Sequence, residues 1–116
     1  MARRVACDGR PTPALVETYR EAFFAAFDAL APRPYRRGME AVLDAADTAA
    51  DPDAMVDTLR AAEHAALTVD AAVPRALKAL AADAPLGVLT NGVPGWQRAK
   101  LDHVGLDAGV ACVFGR

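Results

Sequence analysis

Apolar residues recur every three or four positions through the first part of the chain. Leu15, Tyr19, Phe23, Phe27 and Leu30 form one such stripe, which predicts an amphipathic helix. Thr12 is its expected N-cap and Pro13 its first helical residue, where a missing N–H costs nothing. Ala31-Pro-Arg-Pro34 should end it, because two prolines cannot continue a helix. A second helix is expected from Met39 to about Ala49, with Met39, Val42, Leu43 and Ala46 inward. Asp51-Pro52 repeats the cap-then-proline signal and opens a third, with Met55, Leu59, Ala62 and Ala66 on one face. Residues 13–68 therefore read as a small all-helical segment. Residues 1–12 precede it, with Arg4-Val5-Ala6-Cys7 as a short first strand and a loop after it.

From Val69 the pattern changes. Ala72 to Ala82 predicts a short helix with Val73, Leu77 and Leu80 on one side. Leu86-Gly-Val-Leu-Thr90 is apolar without alternation, as in a parallel strand covered on both faces. Asn91-Gly-Val-Pro-Gly95 is dense in turn residues. Trp96 to Val104 is helical again, Gly105 suits the position after its end, and Gly109 to Phe114 is a second apolar run. Strand, helix and strand in that order make a β-α-β crossover, so residues 69–116 read as α/β with a short parallel sheet.

Composition narrows the function. Hydrophobic residues make up 53% of the 116, enough for a packed core. The 13 basic and 15 acidic residues nearly balance, which gives no basic surplus for nucleic acid and no acidic tail. The start, Met1-Ala-Arg-Arg-Val-Ala-Cys-Asp8, is too soon polar for a signal peptide, and no apolar run approaches the ~20 residues of a membrane span. A cytoplasmic protein with no membrane partner is the expectation. Cys7 and Cys112 belong to no Cys-x-x-Cys pair and read as buried thiols in a reducing compartment.

Chemistry concentrates after the first apolar run of the α/β part. In doubly wound folds, ligands bind beyond the carboxyl ends of the strands. Thr90 and Asn91 fall there, directly before a helix, and their side chains with free backbone N–H groups suit an anion. Gly92 lets the backbone approach a ligand. Elsewhere the readings are plainer. Tyr19, Phe23 and Phe27 are core, Trp96 either shields the loop or packs, and Lys100 is a solvated or packing residue. His64 lies in an alanine-rich helix, and His103 near a helix end where a cation suits the dipole. Neither has a second ligand nearby in sequence, so no metal site is expected from them.

Leu86-Gly-Val-Leu-Thr-Asn-Gly-Val-Pro-Gly-Trp-Gln-Arg-Ala-Lys-Leu-Asp-His-Val-Gly-Leu106 resembles the second motif, and following helix, of haloacid-dehalogenase-like (HAD) hydrolases. There an apolar strand ends in Thr or Ser, often with Asn-Gly next, and a Gln-x-x-Lys-Leu helix ends in Gly-Leu. The likeness covers about Val69 to Leu106, and residues 13–68 have the position and character of the family's helical cap. The resemblance implies a partial HAD-like Rossmannoid core and hydrolysis, of phosphatase or dehalogenase type, of a small phosphorylated or halogenated anionic metabolite. It makes Thr90, Asn91 and Gly92 the anion seat, and Asp8 of Asp8-Gly-Arg-Pro-Thr12 the nucleophile position. It also implies Mg²⁺ in the phosphatase members. Arg10 replaces the second aspartate of that motif and Pro11 its usual glycine, which disfavours phosphatase chemistry. The family's third-motif lysine and closing acidic motif find no counterpart, so the hydrolase reads as incomplete. The alternative is a non-catalytic remnant or interaction module that keeps the fold. A sheet of two or three strands has open edges, and a tendency to dimerise is expected from it.

Overall fold

The computed structural model describes residues 12–107 and 109–115. The segment expected as a first strand, Arg4 to Cys7, and Asp8 with it, lie outside the described residues. The chain forms two compact units, Met1–Ala61 and Ala62–Arg116, which divide inside a helix.

In the first unit, α1 spans Pro13–Asp28, α2 spans Pro34–Ala45, and α3, Pro52–Ala66, begins. Thr12 is extended and its Oγ1 accepts from Leu15 N–H at 3.4 Å, so the expected cap is in place ahead of Pro13. The helix stops before Leu30, which adopts a left-handed φ of 56° and is exposed rather than part of the inner stripe. Arg33 is left-handed as well, and Pro34 then starts α2 at its first position. The second proline thus opens the next helix, five residues ahead of the expected Met39, because its fixed φ suits a first turn. The end also comes early. Asp47 at φ 53° turns the chain, with Asp47 N–H donating to Asp44 and Thr48 N–H to Leu43 at 3.1 Å. Asp51 caps α3 as expected, its Oδ1 accepting from Asp53 N–H at 3.0 Å.

Tyr19, Phe23 and Phe27 stack along α1 with ring centres 5.9 and 5.8 Å apart, and Tyr35 of α2 lies 4.9 Å from Phe23. Gly38 is what lets Tyr19 lie against α2, since a Cβ there would stand 2.5 Å from the ring. Leu43 and Ala46 are buried. Arg36 bridges Glu40 at 2.8 Å and Asp53 of α3. Its pKa is raised, first by the hydrogen bond with Asp53, so its charge persists at any ordinary pH. An apolar cavity of about 430 Å³ remains within this unit, lined by Leu15, Tyr19, Met39, Leu43, Met55 and Leu59 among others.

The second unit holds the end of α3, α4 (Ala72–Asp83), β1 (Leu86–Leu89), α5 (Pro94–His103) and β2 (Val110–Phe114). The two strands pair in parallel, Leu86 with Val110 and Leu89 with Phe114, with an irregularity after Leu86. A helix between two parallel strands confirms the α/β reading at this level. Gly105, at φ 75°, ends α5 as expected. Its N–H donates to Asp102 and that of Leu106 to Leu101 at 2.8 Å, the paired bonds of a Schellman ending. Trp96 and Val110 are buried.

Other expectations are corrected. β1 is not covered on both faces among the described residues: half-buried Leu86 and Val88 alternate with exposed Gly87 and Leu89. Leu89 is 87% exposed and its partner Phe114 60%. On α4, Val73 and Leu80 are exposed, and only Leu77 of the expected stripe is half-buried. Ala62 and Ala66 of α3 are exposed, while Glu63 and His64 turn inward. Alanine burial gains little, so it does not fix which way a helix faces. No helix among the described residues is long and apolar enough to cross a membrane.

Candidate functional site

Both strands point their carboxyl ends the same way because they are parallel. Thr90 follows β1 directly and stays tied to the sheet, its N–H donating to the Phe114 carbonyl at 2.9 Å. Its side chain is half-buried, and two donors converge on its Oγ1. Gly92 N–H donates to it at 3.0 Å and Gln97 Nε2 at 3.3 Å. A hydroxyl has two acceptor positions and one O–H. With both acceptor positions engaged, what Thr90 has left to offer a ligand is its proton.

The expectation of free backbone N–H groups around the loop is revised in one respect. The Gly92 N–H is spent on Thr90, so Gly92 shapes the loop instead of binding through its amide. A Cβ at Gly92 would stand 2.4 Å from Gln97 Nε2, and one at Gly115 would stand 2.6 Å from the Gly92 carbonyl. The chain after β2 therefore passes close beside the loop after β1. Asn91 is exposed. The N-terminus of α5 has no side-chain cap at Val93 and no acidic residue in its first turn, which leaves it positive toward the loop. Gln97, on that first turn, was not anticipated as part of the site. Its spacing from Thr90 shows nothing in sequence until a strand-turn-helix brings the two together.

The remaining candidates disperse. Asp8 lies outside the described residues. Lys100 pairs with Glu63 at 3.3 Å, and Trp96 is 4% exposed with its Nε1 donating to Glu63 at 2.7 Å, so Trp96 packs instead of shielding the loop. Lys78 is exposed on α4. No three His, Cys, Asp or Glu side chains converge as metal ligands among the described residues. Cys112 is free and half-buried on β2. His64 and His103, unconnected in the sequence, stack with ring centres 4.7 Å apart. No family model, no curated protein and no solved structure matches the chain.

Proposed function

We propose that the chain is part of a HAD-like hydrolase in which Thr90, Asn91 and Gly92 seat the anionic group of a small phosphorylated or halogenated metabolite. The observation that carries this reading is the hydroxyl of Thr90. Its acceptor positions are filled by Gly92 and Gln97, so it stands at a strand end as a donor, next to an uncapped helix N-terminus. Donors fixed in advance hold an anion without reorganising, and they stabilise the charge that develops as the group is transferred. Asn91 adds an exposed amide and Gly92 the close turn. The nucleophile of the reading is the Asp8 carboxylate, by the resemblance alone. In the phosphatase form it attacks phosphorus, expels the alkoxide, and releases phosphate when water cleaves the acyl phosphate.

The test is turnover of p-nitrophenyl phosphate with Mg²⁺, together with phosphate binding by calorimetry. The reading expects turnover that Asp8→Asn abolishes and phosphate binding that Thr90→Ala weakens on the order of tenfold or more, the usual cost of losing a charge-assisted hydrogen bond. Absence of turnover with phosphate binding unaffected by Thr90→Ala sinks the hydrolase and the anion seat together. Absence of turnover with binding lost in Thr90→Ala supports the second reading, a non-catalytic module. That reading is favoured by one observation, the apolar pair Leu89 and Phe114 left exposed on the sheet.

A further inference from the structure

Away from the Thr90 loop, the chain's two histidines meet. His64 stands in the last turn of α3 and His103 closes α5. Their rings stack with centres 4.7 Å apart and planes 26° from parallel. His64 Nε2 is buried and finds no hydrogen-bond partner among the described residues. A buried polar nitrogen left without a partner is uncommon, and an ordered water or an ion is the ordinary resolution. The neighbouring residues hold the pair in place. Glu63, beside His64, accepts from Trp96 Nε1 at 2.7 Å and pairs with Lys100 at 3.3 Å. Trp96, Lys100 and His103 follow one another along one face of α5, at spacings of four and three. Those contacts lay the end of α3 along that face and set His64 opposite His103. They also balance the Lys100 charge, which would otherwise oppose a cation nearby.

From this juxtaposition we propose that His64 and His103 form a two-histidine site for a divalent transition-metal ion of the zinc class, with water completing its coordination. Neutral imidazole is the common protein ligand for such ions, whereas Mg²⁺ prefers oxygen. Two nitrogens bound at about 2.0–2.1 Å to one ion lie at most about 4.2 Å apart. In the stack, with ring centres 4.7 Å apart, the in-plane lone pairs run side by side, so one ring must turn for both to meet a single ion. His103 is exposed at the helix end, so its ring can leave the stack and aim a nitrogen toward an ion held by His64. Two protein ligands leave coordination positions open, which suits a moderate affinity and an exchangeable ion. The site shares no residue with the anion seat and does not depend on the hydrolase reading.

The experiment is calorimetric titration of the full, untagged chain with Zn²⁺ in a non-chelating buffer, repeated with His103→Gln, His64→Gln and thiol-blocked protein. One ion per chain with a roughly micromolar Kd is expected. His103→Gln should weaken it on the order of tenfold or more, since even outer-shell changes cost that much at metal sites. His103→Gln is the deciding variant because His103 is exposed, whereas His64→Gln risks the packing. A second readout is the melting temperature, which Zn²⁺ should raise in the wild type and leave unchanged in His103→Gln. Zinc binding that is absent in the wild type, or unchanged in His103→Gln, overturns the site. Binding lost only on blocking the thiols also overturns it and assigns the ion to cysteine.

Discussion

A single missing side chain sets the packing of the first unit. Gly38 occupies a buried position in α2 where a methyl group would strike the Tyr19 ring at 2.5 Å. Alanine in place of glycine favours a helix by up to about 1 kcal/mol. Overpacking against a ring held in an aromatic stack costs about 1–3 kcal/mol, so the clash should win. We expect Gly38→Ala to lower unfolding free energy by about 1–2 kcal/mol in urea titration. The loss should shrink when Tyr19 is also replaced by leucine; an equal loss in that background would place the cost elsewhere than the ring. Thr90 makes the same point for function. Its residue type suggests an anion ligand, but the direction in which its hydroxyl can bond was not legible, because that depends on Gly92 and Gln97.

At the scale of elements, helix ends were the most legible feature and helix faces the least. Thr12, Asp51 and Gly105 all act at the termini their chemistry marks, because a cap is a local interaction among residues within one turn. Two glycines of α5 and its ending therefore respond oppositely to alanine. Gly105→Ala places a side chain at φ 75° and should cost about 1 kcal/mol. Gly95→Ala has open space around its new methyl group and should be neutral or stabilising by up to about 1 kcal/mol. Thermal melts of the two variants check the pair, and shifts of the same sign would contradict it. Faces fared worse on α3 and α4, where alanines occupy most of the candidate inner positions. With so little apolar area at stake, polar contacts such as Glu63 with Trp96 and Lys100 decide the orientation.

For the whole molecule, burial is sparse. Among the described residues the buried apolar side chains are Pro34, Leu43 and Ala46 in the first unit, and Trp96 and Val110 in the second. Among the described residues the sheet has two strands and leaves Leu89 and Phe114 exposed, and a short parallel pair with open edges invites another chain. We expect self-association that rises with concentration in sedimentation velocity, reduced in Leu89→Lys because a lysine on a strand opposes pairing. A wild-type chain that stays monomeric throughout and melts in one sharp transition would count against this.

By itself, the sequence determined the order of the described elements, most helix starts and the α/β character of the last third. These rest on periodicity, caps and turn residues, all of which act over a few positions of the chain. Only the tertiary structure decided which residues meet across elements. It spent the Gly92 amide on Thr90, drew Gln97 to the same hydroxyl, turned Glu63 toward Trp96, and stacked His64 on His103. Contacts between side chains on separate elements have no periodic signature, because they are set by how the packed surfaces come together.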